Sequence, residues 1–393
     1  MTATGIDRIS FYTPRYYLPL SALAEARGVD PGKYIKGLGQ ENMSVPPPDE
    51  DTVTMAAAAA QPLLDDEPET RARINLLLLA TETGVDQSKA AGLFVHKLLD
   101  LPARCRVVEV KQACYSATAA LRMACAMVAQ SPASAALVIA SDIARYDLGS
   151  PGEPTQGSGA VALRVTAKPR LLTIEPHAGL HAEDIMDFWR PNYRRDALVD
   201  GRYSTRMYLH TAMQAFDHYR ETSGLDLADI DRYCYHLPFT RMAAKAHSQL
   251  VTHATGAAPR PRELAQATEA ALAYNRQTGN TYTAALYEGL ACLLDTCPDN
   301  LAGRRIGLFS YGSGCTGEFF SGIVTRGYRK RLLTDRHRRL LEDRTELTVQ
   351  AYEDILNLRV PEDGLAYEFA PYCTGGFRLA GVREHKRCYE VVE

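Results

Sequence analysis

An α/β protein of two similar halves, with a parallel or mixed sheet covered by helices on both faces, is what the sequence predicts. Two observations carry that expectation. Apolar runs of strand length alternate with helix-period patterns through the first half, and the same alternation returns in the second. No long flexible linker interrupts the chain, so the halves are expected to pack as one body, dividing near residue 170 into 1–170 and 171–393.

In order, Ile74–Ala80 is a continuous apolar strand, followed by the turn Glu82-Thr83-Gly84 and a helix pattern from Ser88 to Leu99. Arg106–Val110 reads as a strand leading to Cys114. From Tyr115 to Val128 the residues are small and apolar except Arg122, the pattern of a buried helix. Ala135–Ala140 is a strand, Leu148 to Ser158 is rich in turn residues, and Gly159–Val165 is another strand. The second half repeats this grammar. Asp231–Leu237 is strand-like and precedes a helix pattern from Arg241 to His253. Thr281 to Leu294 is helical after Gly279-Asn280, Arg305–Ser310 is a strand, Tyr311–Gly314 a turn, and Phe319–Val324 a returning strand.

Bulk properties exclude several classes. The chain has 393 residues, 46% hydrophobic and 23% charged, which suits a large folded core. A net charge of −3 gives no footing for general nucleic-acid binding. The first residues, from Met1 and Thr2 onward, lack the apolar region of a secretory signal, and no run approaches the length of a membrane span. Nine scattered cysteines without a CxxC pair point to a reducing cytoplasm and free thiols, with Cys105, Cys125, Cys234, Cys292 and Cys297 as packing residues. No His/Cys/Asp spacing resembles a metal-ligand set. The basic segment Arg326 to Arg344 has two readings, a solvated helix face or a docking surface for an acidic partner.

The chemistry-bearing residues cluster by position. Cys114 lies between a strand and the start of a buried helix, where the helix dipole and free N–H groups favour a thiolate. The alternative for such a cysteine is a small packing residue. Glu82 follows a fully apolar strand, where a carboxyl among apolar neighbours has its pKa raised; it could equally be a surface acid at a helix start. His236, before Pro238, also ends a strand, and its imidazole either polarises a carbonyl or serves the structure. Asn280 is either an N-cap or an amide donor, and Ser313 sits in a tight glycine turn that lets backbone N–H groups approach a ligand. In open α/β sheets active sites gather at the carboxyl ends of strands, and all five residues fall at such ends or turns. One thiol, one carboxylate, one imidazole and oxyanion donors on one rim suit acyl transfer through a thioester, then carbon–carbon bond formation.

Six motifs then carry a resemblance. Thr81-Glu-Thr-Gly-Val-Asp-Gln-Ser-Lys89, Lys111-Gln-Ala-Cys-Tyr-Ser116, Asp187-Phe-Trp-Arg-Pro191, His236-Leu-Pro-Phe239, Gly279-Asn-Thr-Tyr-Thr283 and Phe309-Ser-Tyr-Gly-Ser-Gly314 resemble the 3-hydroxy-3-methylglutaryl-CoA synthases, in that family's order. The likeness runs from Asp7 to Tyr389. It implies the thiolase fold, a five-layer αβαβα body of two related halves, and a homodimer. It implies Cys114 as the acetyl-accepting nucleophile, Glu82 as the acid/base that deprotonates the acetyl methyl, and His236 as the group that polarises the acceptor's β-carbonyl. Asn280 and Ser313 would line the acyl and oxyanion site, with Tyr115, Asp142, Thr155, Asp187 and Pro238 around it. Arg241 and Lys245 match positions of basic residues that meet the carrier's phosphates. No resident cofactor is implied, because the phosphopantetheine or CoA thioester is substrate.

Two branches of that family fit. One makes hydroxymethylglutaryl-CoA from acetyl-CoA and acetoacetyl-CoA. The other adds an acetyl unit to a β-ketothioester on an acyl carrier protein during polyketide β-branching. Ala113–Ser116 and Gly314–Phe319 resemble the β-branching members more than the primary ones, and the arginine-rich segment suits encounter with an acidic carrier protein, so the sequence tilts toward the second. A decarboxylating ketoacyl synthase of the same fold fits less well, since it lacks a glutamate like Glu82.

Overall fold

A computed structural model describes residues 3–358, 360–361, 363–372 and 375–392, which leaves Met1, Thr2, Arg359, Glu362, Cys373, Thr374 and Glu393 outside. Nine strands form the central sheet. In spatial order they are Arg232–Tyr235, Arg305–Gly312, Thr316–Val324, Leu172–Ala182, Thr4–Tyr12, Ser158–Ala167, Ala135–Ile143, Ile74–Ala80 and Arg106–Val110. Pairing is parallel toward both ends, where Ile74–Ala80 lies between parallel neighbours and Arg232–Tyr235 beside another. It is antiparallel in the middle.

The strands divide by origin. Four come from beyond residue 170 and five from before it, and among the described residues the two sets pair only at Gly5↔Thr173 and Ile6↔Leu172. So narrow a seam lets the sheet turn into two leaves. Helices Ser116–Gln130 and Ala285–Thr296 pack between the leaves in one apolar cluster. Thr52–Asp65 covers the outer face of the first leaf, and Gly201–Ser223 with Arg241–Thr255 covers the second. The result is five layers, helix–sheet–helix–sheet–helix.

Strand periodicity explains the layering. Leu76, Leu78 and Ala80 face the central helices, whereas Leu77 and Leu79 face Thr52–Asp65. A strand buried on both faces has no polar side to show, and it therefore reads as a continuous apolar run. Burial also hides helices. Thr52–Asp65 is buried almost throughout, so it carries no polar stripe to betray its period; Asp51 caps it, accepting from Val53 and Thr54 N–H. The longer Gly201–Ser223 starts at the Asp200 cap and stops at left-handed Gly224.

Two predicted helices start later than expected. Gly92–Leu98 replaces the run from Ser88, because Asp86 takes a φ of 78° and Glu109 Oε2 accepts the Ala91 N–H at 2.7 Å, doing a cap's work. Thr281 to Leu294 opens instead as a 3₁₀ turn, Tyr282–Ala284, before the α-helix Ala285–Thr296.

Four of the eight Lys and Arg side chains of the basic segment bond to their own chain. Arg331 pairs with Glu67, Arg338 with Asp335 and Glu342, Arg329 reaches the Asp299 carbonyl, and Arg344 donates to the Gln277 carbonyl. Ion pairing within the chain offsets the charge of Arg331 and Arg338, whereas Arg329 and Arg344 meet only neutral carbonyls. Cys125, Cys234, Cys292 and Cys297 are buried as expected, but Cys105 is half-buried; all cysteines among the described residues are unpaired. No described helix is long and apolar enough to cross a membrane.

Candidate active site

Cys114 stands just ahead of the Ser116–Gln130 helix. Ser116 Oγ closes that turn, accepting from Gln112 N–H at 2.5 Å and donating to the Ala113 carbonyl at 2.8 Å. Glu82 stands just past Ile74–Ala80. The two loops bring the Cys114 thiol to donate to Glu82 Oε1 across 3.1 Å.

Burial, reinforced by the nearby Asp142 carboxylate, pushes Glu82 up to about 8. Burial first, then Glu82, Asp142 and Asp187, also push the thiol well above its usual range. The thiolate expected from the helix start is therefore not the resting state: desolvation and three carboxylates outweigh the dipole. Glu82 therefore gives up its proton before Cys114 does, and the reactive form is the thiol facing the Glu82 carboxylate.

Three buried carboxylates fasten the loops. Asp142 accepts six hydrogen bonds, from Thr81 Oγ1, Glu82 N–H, Thr83 N–H and Oγ1, and Thr283 N–H and Oγ1. It thereby joins the Glu82 loop to the Asn280 loop. Asp187 accepts from Ser204, Tyr311 and the Gly314 N–H, fixing the Ser313 turn. Glu288, raised by burial to about 7, accepts from Thr278 at 2.6 Å and Thr281 at 3.0 Å on either side of Asn280. Asp142 and Asp187, expected beside the substrate, thus lie fully buried behind the loops that line it. Tyr115 is corrected too. Its hydroxyl donates to Glu318 at 2.7 Å, away from the cavity, because Glu318 also anchors Arg122.

A cavity of about 910 Å³ receives the remaining groups. Cys114, Thr155, His236, Pro238, Asn280 and Ser313 line it, while Glu82 meets it through the sulfur. His236 is 3% exposed, and burial lowers its pKa to about 3, so the ring is neutral near pH 7. Its Nδ1 has no hydrogen-bond partner among the described residues. Asn280 Oδ1 accepts the Tyr282 N–H at 2.9 Å, an assignment that leaves its amide N–H groups for the cavity. Arg241 and Lys245 stay exposed one turn apart on a helix whose Met242 lines the cavity, and Lys245 Nζ lies 5.2 Å from the ring of Phe239, another lining residue.

The sequence reading missed the aromatic walls: Tyr146, Phe188, Tyr208, Tyr282 and Tyr311. Three of these, Phe188, Tyr282 and Tyr311, sit inside motifs already singled out, and adjacency was the available signal. It also missed His181, Glu183 and His210, which converge away from the cavity; His210 arrives from a separate helix, so no local spacing announces the group.

A thiol hydrogen-bonded to a carboxylate at the meeting of the two leaves is the arrangement an acyl-transferring condensing enzyme needs. Residues 2–169 match the family description "Hydroxymethylglutaryl-coenzyme A synthase N terminal" and residues 260–374 its C-terminal counterpart. The chain belongs to the hydroxymethylglutaryl-CoA synthase family. It is 44% identical over 349 residues to the hydroxymethylglutaryl-CoA synthase of Enterococcus faecalis, covering 89% of this chain and 90% of that one. It is 34% identical over 371 residues to the polyketide biosynthesis 3-hydroxy-3-methylglutaryl-ACP synthase PksG of Bacillus subtilis, covering 90% and 88%. A crystal structure of an HMG-CoA synthase complexed with CoA superposes with a TM-score of 0.94 at 40% identity, covering 99% of this chain and all of that one. The thiolase-like architecture is shared with these structures.

Proposed function

We propose that this chain condenses the acetyl group of acetyl-CoA with acetoacetyl-CoA to give 3-hydroxy-3-methylglutaryl-CoA. The observation that carries the chemistry is the Cys114–Glu82 hydrogen bond of 3.1 Å, on a cavity that also presents a neutral His236 and the Asn280 amide. The Cys114 proton passes to Glu82 as sulfur attacks the donor thioester, and from Glu82 to the departing carrier thiolate. Acetyl-Cys114 then faces a Glu82 carboxylate again. That carboxylate takes a methyl proton, and the enolate attacks the acceptor's β-carbon while His236 and Asn280 donate to the developing alkoxide. Glu82 returns the proton to that oxygen, and water hydrolyses the enzyme thioester. Arg241 and Lys245 meet the carrier's phosphates.

The choice of CoA over a carrier protein reverses the tilt of the sequence. It is supported by the 44% identity to the Enterococcus enzyme and, less strongly, by the ion pairing of Arg331 and Arg338 with acids of the same chain. The second reading, polyketide β-branching on an acyl carrier protein, keeps the likeness to PksG in its favour. Weighing the protein after incubation with acetyl-CoA or with acetyl-carrier-protein separates them. Acetylation from CoA at Cys114 is the expected result; acetylation from the carrier protein alone would establish the other branch.

The working unit is a homodimer in the cytoplasm. What supports the dimer is the edge strand Arg106–Val110, bonded on one side only, with Val108 42% exposed. An open apolar edge favours pairing with a second copy. Val108→Lys should shift the protein to monomer in sedimentation; an unchanged dimer would place the interface elsewhere.

A further inference from the structure

Outside the cavity, three side chains meet at one point. His181 is in the last turn of pleat of strand Leu172–Ala182, Glu183 directly follows that strand, and His210 reaches across from helix Gly201–Ser223, which packs on it. Residues two apart along an extended chain share a face, so His181 and Glu183 point the same way. Glu183 Oε1 lies 2.6 Å from His181 Nε2 and 3.2 Å from His210 Nε2. One donor atom from each residue falls within 4.8 Å of the others. The two rings stand edge to face with centroids 5.3 Å apart. All three side chains are partly exposed, so an ion has access from solvent.

We propose that His181, Glu183 and His210 form a binding site for one divalent transition-metal ion of the zinc class. Two imidazole nitrogens and one carboxylate oxygen suit zinc or cobalt, whereas magnesium and calcium prefer all-oxygen sets. Around a tetrahedral ion with bonds of about 2.1 Å, donors stand about 3.4 Å apart. The Glu183–His210 separation already matches. The Glu183–His181 separation must widen by less than an ångström, within reach of a side-chain rotation. Water completes the coordination.

The site has a structural route to the cavity. Glu183 and Cys315 bond backbone to backbone in both directions, at 3.2 and 2.6 Å, and Cys315 ends the turn that carries Ser313. The first turn of the His210 helix, including Ser204 and Thr205, lines the cavity as well. An ion at this point fastens two walls together without touching substrate.

The test uses the untagged full-length protein, stripped with a chelator and titrated with zinc by calorimetry. One ion per chain is expected, with a raised melting temperature on loading. His181→Gln and His210→Gln should each weaken binding by more than about 100-fold, since losing a mere partner of a metal ligand already costs about 10–100-fold. Their circular dichroism should match the parent's, and zinc should no longer raise their melting temperatures. Cys114→Ser should keep the ion, and the cobalt-loaded protein should show no thiolate charge-transfer absorption. Absence of stoichiometric binding, binding unaffected by either histidine variant, or loss of the ion in Cys114→Ser would each overturn the proposal.

Discussion

The two leaves place different chemistry at equivalent points of the same scaffold. Glu82 follows Ile74–Ala80 as His236 follows Arg232–Tyr235. Cys114 precedes the central helix Ser116–Gln130 as Asn280 precedes Ala285–Thr296. Asp142 and Ser313 occupy the ends of the matching strands Ala135–Ile143 and Arg305–Gly312. One physical cause then acts with opposite sign. Desolvation raises Glu82 to about 8 and lowers His236 to about 3, and each shift favours the uncharged form. In the proposed reaction the first leaf supplies the thiol–carboxylate pair that moves protons. The second supplies the neutral donors that steady an oxygen.

Exchanging roles across this pseudo-symmetry should have unequal consequences. The largest is at the nucleophile: Cys114→Ala should abolish acetyl labelling and lower turnover by about 10⁴-fold or more. Asn280→Ala, its counterpart, should leave labelling intact and cost about 10²–10³-fold in condensation, the usual loss for one oxyanion donor. Labelling that survives Cys114→Ala would remove the distinction between the leaves.

Next come Glu82 and His236, where pH separates them. Glu82→Gln should acetylate slowly, having lost the acceptor of the thiol proton, and should fail to condense. The folded protein keeps a proton on Glu82 that the unfolded chain, with a value near 4.5, has lost; stability therefore falls as pH rises from about 4.5 to 8. Glu82→Gln should raise the melting temperature at pH 8 and leave it almost unchanged at pH 4. For His236 the sign reverses. The unfolded chain takes up a proton below about 6.5 and the folded one does not until about 3, so stability falls as pH falls through that window. His236→Gln should relieve the acid-side loss, and melting curves across pH check both.

Smaller effects follow at the buried carboxylates. Asp142→Asn turns an amide toward donors that already point inward and should cost about 2 kcal/mol or more in denaturant unfolding. Glu288, at about 7, is part-protonated at neutrality, so Glu288→Gln should cost less than about 1 kcal/mol. Least of all, Arg338→Ala should change stability by less than about 0.5 kcal/mol and leave acetyl transfer untouched, because its partners are exposed.

Legibility followed the range of the interaction. The Ile74–Ala80 strand and the Cys114 helix were readable because burial on both sides leaves a continuous apolar signature. Thr52–Asp65 was not, because the same burial erases helical periodicity when strand and helix lengths are not otherwise marked. Phe188 and Tyr282 escaped notice as cavity walls although their motifs were in view, since a motif does not say which way its side chains point. The arginines from Arg329 to Arg344 read as a charged surface, and the pairing of Arg331 with distant Glu67 was not visible in that run.

By itself, the sequence determined the alternation of strands and helices around its motifs, though not Thr4–Tyr12, Thr52–Asp65, Leu172–Ala182 or Gly201–Ser223. It likewise determined the candidate thiol, carboxylate, imidazole and amide and their places at element ends. These depend on local periodicity and turn chemistry, which span a few residues. Tertiary structure alone decided that Cys114 donates to Glu82 and that Asp142 and Asp187 are buried fasteners rather than substrate contacts. It also decided that His181, Glu183 and His210 share one point. Those outcomes join residues far apart in the chain, and they follow from which strands become neighbours and how far each carboxylate is removed from water.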